Sequence, residues 1–254
     1  MTLLAVERIK LFSTRSPWWS LLLALVVTVG FAALTTGSED DPAWITVPST
    51  QFGYSFGLAV ILVMAALTIT TEYRFNTIKT TFQAVPSRTS ALLAKTIVVA
   101  LATGVLGLIA AFGSLGIAKV LQPKADLALN SQADWRAVAG VSLVFAIAAV
   151  VAIAVGILIR HTAGAVALLL TYALMVEQLV QLIPNVGDDI HKWLPFNVAY
   201  KFISGDPDMS GRPVQAGPPP SDATLSPWWA LAYFAAFAVV MLTIAIITAK
   251  KRDA

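Results

Sequence analysis

Long apolar runs separated by short charged segments dominate the pattern of the chain. Five of these runs contain no charged residue, and a sixth is interrupted only by Glu177. A helix needs about 20 mostly apolar residues to cross about 30 Å of hydrocarbon. The pattern therefore predicts six transmembrane helices. They cover, approximately, residues 17–37, 52–71, 96–118, 137–159, 162–183 and 227–249.

The runs are typical of helices rather than of the strands of a membrane barrel. A chain inside lipid must satisfy its own backbone hydrogen bonds, which helices do within one segment. Barrel strands alternate apolar and polar residues over about ten positions, whereas Leu21–Val27 and Ala165–Leu170 are continuously apolar. We therefore predict an all-α integral membrane protein with one transmembrane domain, residues 17–249.

Composition agrees with a membrane protein and narrows the available chemistry. Of the 254 residues 57% are hydrophobic and 12% are charged, against about 25% charged residues in a soluble domain. The sequence has no cysteine, which excludes disulfides and sulfur-ligated metals. The only histidines are His161 and His191, too few for a histidine-rich metal cluster. We predict no catalytic residue, no metal ligand and no cofactor site in this chain.

The modest net charge of +3 conceals a strong asymmetry. If the N-terminus is placed inside, the inner segments carry a net +8 and the outer segments a net −4, with Glu177 set aside. Basic residues near helix ends favour the cytoplasmic side. We therefore expect a multi-pass plasma-membrane protein with a cytoplasmic N-terminus and a cytoplasmic tail, residues 250–254. Because the basic residues follow the helix ends, a nucleic-acid partner is not expected.

The N-terminal segment 1–16 interleaves apolar residues with Glu7, Arg8, Lys10 and Arg15. Such a segment can form an amphipathic helix in the membrane interface, in contact with lipid. A simpler interpretation is a charged flank that only sets topology. A cleaved signal peptide is disfavoured because no small-residue cleavage site leads into a soluble domain.

The predicted inner loop 72–95 is longer than a hairpin needs and mixes aromatic with basic residues. Phe75, Ile78 and Phe82 are spaced by three and four residues, so they share one face of a short helix. Pro86 ends this helix, and Ser87 or Thr89 can cap the next one. The helix either docks a soluble partner or merely covers the end of its own bundle.

Loop 72–95 contains the motifs Glu72-Tyr73-Arg74, Thr77-Ile78-Lys79, Pro86-Ser87-Arg88 and Ala94-Lys95. Together these motifs resemble the cytoplasmic loop in the membrane subunits of ABC-2 type transporters, the permeases of ATP-binding-cassette exporters. In that family a glutamate–aromatic–arginine triplet follows the second span, and a basic turn after a proline leads into the third. The opening Glu7–Leu11 and Ser16–Trp19 are similar to actinobacterial members. One departure is Asn76, where the family often has glycine; asparagine tolerates a left-handed backbone better than most residues.

The resemblance implies a type V exporter-like permease without its own ATPase site. Segment 1–16 would be the connecting helix, and loop 72–95 would couple to a separate P-loop ATPase subunit that binds ATP and magnesium. A second permease copy or a paralogue would complete the path for a hydrophobic or amphipathic substrate. The coupling residues that the resemblance implies are Glu72, Tyr73, Arg74, Thr77, Ile78, Lys79, Phe82 and Arg88.

Glu177 is a charged residue within the predicted fifth span, near its outer boundary. An intramembrane carboxylate is a candidate functional residue, and Glu177 could face a substrate path with Gln178 and Gln181. Alternatively it reaches the outer headgroups or pairs with a neighbouring helix. The predicted extracellular segment 184–226 follows, and the resemblance implies short helices that cap the path there.

Two other classes of function stay open from the residues alone. A membrane-embedded enzyme needs polar groups that converge inside the bundle, and no predicted span contains two ionisable residues. A structural or sensory membrane protein without transport activity is opposed only by the loop resemblance.

Overall fold

The computed structural model of the protein describes residues 2–85, 87–205 and 221–252. Three predicted features lie wholly or partly outside these residues. They are the helix break at Pro86, residues 206–220 of the predicted extracellular segment 184–226, and the last two residues of the tail (253–254).

The regular elements of the described residues are all helical. Two short 3₁₀ turns, Pro42–Trp44 and Pro48–Gln51, precede α3, and a π-helical turn, Tyr172–Val176, joins α7 to α8. The α-helices are α1 Leu3–Ser13, α2 Arg15–Gly37, α3 Tyr54–Arg74, α4 Thr77–Ala84, α5 Arg88–Leu121, α6 Gln132–Ile159, α7 Thr162–Thr171, α8 Glu177–Val180, α9 Gly187–His191, α10 Pro195–Ser204 and α11 Pro227–Arg252.

Six helical segments of the described chain are long and apolar enough to cross a membrane. The predicted all-α fold with six spans is therefore confirmed. The six segments are Arg15–Gly37, Pro48–Arg74, Arg88–Leu121, Gln132–Ile159, Thr162–Val180 and Pro227–Arg252.

Helix α6 lies at the centre of the bundle and packs against α3, α5 and α11. Its contact with α5 is close because Gly104 and Gly107 face Ser142: a Cβ atom on Gly107 would lie 2.7 Å from the Cα of Ser142. The Ser142 hydroxyl also donates a hydrogen bond to the Gly104 carbonyl oxygen at 2.7 Å. These two glycines thus serve the close helix contact that small residues permit.

Helix α5 begins at Arg88, before the predicted span 96–118, and its start agrees with the predicted cap at Ser87. Its N-terminus is capped by Ser87, whose hydroxyl oxygen accepts a hydrogen bond from the Ser90 amide. With 34 residues the helix is about 51 Å long, which exceeds the thickness of the hydrocarbon core. The turns that precede the predicted span include the buried residues Ala91, Leu92 and Ala94, so they remain packed on the bundle.

Candidate functional site

The short helix α4 follows α3 through a sharp reversal at Asn76. This residue has φ 57° and ψ 13°, the left-handed conformation. Asparagine adopts that conformation more readily than most residues, so the turn persists without the glycine that the resemblance would place there. The reversal lays α4 across the end of α3 and α5.

Helix α4 has a face that packs on its own bundle and a face that is open. Ile78 is buried in the hydrophobic core, and the half-buried Phe82 packs against the same core. Lys79 and Gln83 are exposed and four residues apart, so they lie on one side of α4. Phe75 is also exposed, but it precedes the turn at Asn76. We call the three exposed residues Phe75, Lys79 and Gln83 the open face of α4.

Arginine side chains lie over three aromatic rings of this loop. The guanidinium of Arg74 is 5.5 Å from the ring centroid of Phe75, which is 67% exposed. Arg88 lies 5.6 Å from the ring centroid of Phe82, and Arg160 lies 4.8 Å from that of Tyr73. These distances are within the range of cation–π attraction. Phe75 and Arg74 thus present an aromatic and cationic pair to the surroundings.

A cluster of four charged side chains lies beneath α4. We call Glu7, Lys10, Glu72 and Lys95 the ion cluster. The Lys95 ammonium donates hydrogen bonds to Glu7 at 2.6 Å and to Glu72 at 2.9 Å. Lys10 donates to Glu7 at 2.8 Å and lies 3.7 Å from Glu72. Two lysines and two glutamates therefore balance one another within one group of contacts.

The central members of the ion cluster are withdrawn from solvent. The side chains of Glu7, Lys95 and Glu72 are 6%, 8% and 14% exposed. Burial by itself would raise the pKa of Glu7, but Lys95 and Lys10 outweigh this effect and hold that pKa below its ordinary value. Glu7 is consequently an anion in the folded protein at neutral pH.

Of the residues predicted to couple, Glu72 belongs to the ion cluster, whereas Thr77 and Lys79 are exposed on α4. The sequence interpretation missed the pairing of Glu7, Lys10 and Lys95. The only local signal is the spacing of three residues between Glu7 and Lys10. Nothing local joins Glu7 to Lys95, which is 88 positions away.

At the opposite end of the bundle, α3, α8 and α10 line an open cavity of about 200 Å³. Its walls include Tyr54, Leu58, Phe196 and Tyr200 together with two of the predicted path residues, Glu177 and Gln178. The rings of Tyr54 and Tyr200 are stacked, with centroids 5.7 Å apart. Burial raises the pKa of Tyr200 to about 12, so its hydroxyl stays neutral.

Glu177 is 2% exposed and caps α10. Its two carboxylate oxygens accept hydrogen bonds from the backbone amides of Phe196 at 3.0 Å and Asn197 at 2.8 Å. These amides lie in the first turn of α10, where backbone donors lack helical partners and the helix dipole favours negative charge. A π-helical turn directly precedes Glu177 in the fifth span, and such turns are frequent at functional sites.

Beside α10 lies a second polar group, which we call the capping cluster: His191, Asn197, Ser221 and Asp222. His191 Nδ1 is 2.9 Å from Asp222 Oδ1, and Asn197 Nδ2 donates to the same oxygen at 2.7 Å. The Ser221 hydroxyl lies 3.0 Å and 2.9 Å from the two oxygens of Asn197.

The third predicted path residue, Gln181, contacts the capping cluster and does not line the cavity. Its amide nitrogen lies 2.9 Å from His191 Nδ1. The structure therefore brings Glu177 and Gln178 together at the cavity and places Gln181 next to His191.

A serine, a histidine and an aspartate thus lie close together, but their hydrogen bonds are not those of a nucleophile with its base. The Ser221 hydroxyl is directed to Asn197, whereas a serine nucleophile must donate to the histidine. Among the described residues, no group of three or more histidines and carboxylates is arranged to hold a metal ion.

Comparison with protein families gives a match to most of the chain. A family model described as "ABC-2 family transporter protein" matches residues 3–176, which are 174 of the 254 residues. The matched region begins with α1 and includes the ion cluster and α4, and it ends just before Glu177. No curated protein matches the chain.

Proposed function

The chain belongs to the ABC-2 transporter family and is a membrane-spanning permease component of an ABC transporter; on this basis we propose that it couples to a separate ATPase subunit and moves a hydrophobic or amphipathic substrate across the plasma membrane. ATP and magnesium would bind in that partner subunit. A second copy of the chain, or a paralogue, would complete the translocation path.

The open face of α4 is the observation that carries the proposed coupling. Phe75, Lys79 and Gln83 are exposed while Ile78 and Phe82 anchor the helix on its own bundle. An exposed aromatic ring with adjacent cations has the composition of a docking surface. In the proposal Phe75 and Lys79 contact the ATPase, and Ile78, Phe82 and Tyr73 hold the loop in place.

Affinity purification from native membranes in mild detergent tests this coupling. We expect ATP hydrolysis to co-purify with the unaltered chain and to fall at least tenfold with Lys79→Glu, because the substitution reverses the charge of the open face. Lys124→Glu is the matched control, since Lys124 is equally exposed but lies in the loop at the other end of the bundle. Equal ATPase recovery with both variants would contradict docking through α4.

The proposed orientation places both termini and α4 in the cytoplasm. Arg74, Lys79, Arg88 and the basic end of α11 lie at one end of the bundle, in keeping with the excess of basic residues on cytoplasmic segments. Because the sequence has no cysteine, single cysteines report topology cleanly. We expect a membrane-impermeant maleimide to label Lys124→Cys in intact cells and to label Lys79→Cys only after lysis. The reverse pattern would overturn the orientation.

The cavity between α3, α8 and α10 is our candidate for part of the substrate path. Aromatic and aliphatic walls suit an apolar ligand, and the exposed amide of Gln178 offers a polar contact. The Glu177 carboxylate holds the wall in place through α10, so its proposed role in the path is to shape it.

Filling the cavity tests this assignment. Leu58→Trp adds volume to the cavity wall, and we expect it to abolish transport while ATPase association persists. Leu101→Trp is the control because Leu101 is exposed on the apolar surface of α5, away from the cavity. Unimpaired transport by Leu58→Trp would exclude the cavity from the path.

A further inference from the structure

We propose that Glu7, Lys10 and Lys95 are positioning residues for coupling: the ion cluster joins α1 and α4 to the second and third spans, so that the four elements move together. This inference rests on the proposed docking of an ATPase on α4. It concerns side chains that do not themselves reach the open face.

The first support is the placement of Lys95 between two carboxylates from different helices. Its ammonium contacts Glu7 of α1 and Glu72 at the end of α3, while Lys95 itself belongs to α5. The three side chains are almost entirely withdrawn from solvent. Separating these charges would leave each of them buried without a partner and without water, which is energetically costly. The contacts between them are therefore strong.

The second support is the bridge from α1 to α4. The Lys10 ammonium contacts Glu7 and donates a hydrogen bond to the Thr81 hydroxyl of α4 at 3.1 Å. Elsewhere α1 packs on α2 and α5, whereas α4 packs on α3 and α5. Lys10 therefore links two peripheral helices whose other contacts are made with the spans.

The third support is the small size of α4. The helix has eight residues, of which Ile78 is buried and Phe82 is half-buried. So short a helix has little stability of its own and takes its position from its contacts. Apolar contacts are non-directional, whereas charge-assisted hydrogen bonds require a defined distance and angle. The ion cluster supplies the directional contacts that set the position of α4.

A shape-preserving triple variant separates positioning from folding. Glu7→Gln, Glu72→Gln and Lys95→Met together remove the three buried charges while keeping similar side-chain volumes. Lys10 stays hydrated in this variant because it is 38% exposed. We expect the full-length triple variant to remain folded, as judged by gel filtration and thermal unfolding, and to retain the ATPase because the open face is unchanged.

The first readout is the distance between α1 and α4 in the full-length chain without any ATPase. Spin labels at Arg8→Cys and Gln83→Cys occupy exposed positions of the two helices in a chain free of other cysteines. In nanodiscs we expect a narrow distance distribution with the intact ion cluster and one at least twice as broad in the triple variant. The single variant Lys95→Arg keeps the positive charge and leaves Glu7 and Glu72 unchanged. We expect it to show the same narrow distribution as the intact ion cluster. Equal widths with and without the charges would overturn the inference.

The second readout is transport per ATP hydrolysed in the unlabelled complex. We expect transport per ATP hydrolysed to fall at least fivefold in the triple variant. In the single variant Lys95→Arg we expect it to stay at the level of the unaltered chain. A folded triple variant with unchanged transport per ATP would overturn positioning even if docking on α4 is correct. If the unaltered chain binds no ATPase at all, the proposed function fails, and the spin-label distances still decide whether the ion cluster holds α1 and α4 together.

Discussion

The two ends of α3 meet polar groups that are held in different ways. At one end Glu72 joins the ion cluster, where side chains from α1 and α5 pair with each other. At the other end Tyr54 lines the cavity beside Glu177, whose carboxylate is held by backbone amides of α10. The two sites are eighteen residues apart along α3, which corresponds to about 27 Å.

The difference lies in what must move for the contact to break. The Glu177 bonds join α8 to two adjacent amides whose relative position is fixed by α10, so they break when α8 moves away from α10. The ion cluster joins α1, α3 and α5 through their side chains and reaches α4 through Lys10, so it opposes the displacement of any one of these helices from the others. One end of the bundle therefore holds a single helix terminus, and the other couples four helices.

The largest effect should come from removing the central charge of the ion cluster. Lys95→Met leaves Glu7 and Glu72 buried without their shared partner, which we expect to cost about 3–5 kcal/mol of stability. Thermal unfolding in detergent measures it, with Lys119→Met as control because Lys119 lies on the same helix but is exposed. If the two variants unfold alike, the ion cluster does not stabilise its end of the bundle.

A smaller loss is expected when the Glu177 carboxylate becomes an amide. Glu177→Gln keeps one acceptor oxygen, so either the Phe196 or the Asn197 amide loses its partner, at a cost of about 1–3 kcal/mol. Hydrogen exchange should quicken at the first turn of α10 and stay unchanged in the ion cluster. Asp40→Asn, an exposed carboxylate, is the control. Faster exchange in α1 or α4 would show that the two ends are not independent.

The capping cluster should respond more weakly to loss of one hydroxyl. Ser221→Ala removes the bond to Asn197 and the acceptor for the Ala223 amide. We expect a loss of about 0.5–1.5 kcal/mol, the usual net value of such bonds. Thr224→Ala is the matched control, since Thr224 is exposed in the same segment. Melting temperatures that do not differ between the variants would remove Ser221 from the contacts that shape this end.

The smallest effect is the pH dependence of the ion cluster. Because the folded-state pKa of Glu7 lies below its ordinary value of 4.5, the stabilising contribution of this carboxylate is complete above pH 4.5. The contribution is lost as the pH falls through the lower folded-state pKa. Melting temperatures measured from pH 7 downwards should therefore fall less steeply below pH 4.5 in Glu7→Gln than in the unaltered chain. Parallel curves would show that Glu7 is not held as an anion by Lys95 and Lys10.

The sequence was sufficient for the spans because length and apolarity are local properties. Each of the six segments could be recognised without knowing its neighbours. The left-handed turn at Asn76 was indicated by the family resemblance, in which glycine often occupies this position. The partners of Lys95 could not be recognised, since they come from α1 and α3, and no spacing rule joins them. The π-helical turn before Glu177 likewise follows from no pattern in the residues Tyr172–Val176.

The face of α4 shows an intermediate case. The spacing of Ile78 and Phe82 correctly indicates one apolar face of a short helix, but the prediction that Phe75 shares this face is wrong, because the left-handed turn at Asn76 separates Phe75 from α4. Ile78 and Phe82 are directed to the core, whereas Phe75 is open. An apolar stripe is satisfied equally by a partner or by the helix's own bundle, so only the three-dimensional arrangement separates the two.

The length of α5 means that a small tilt of this helix displaces its ends by several ångströms. If this helix of about 51 Å tilts by about 5° about one end, its other end moves by about 4 Å. Because Lys95 lies in the second turn of this helix and Gly104 and Gly107 lie near its middle, α6 provides a natural fulcrum. A tilt of α5 about this contact would displace Lys95, which lies about ten residues or about 15 Å towards the N-terminus of the helix.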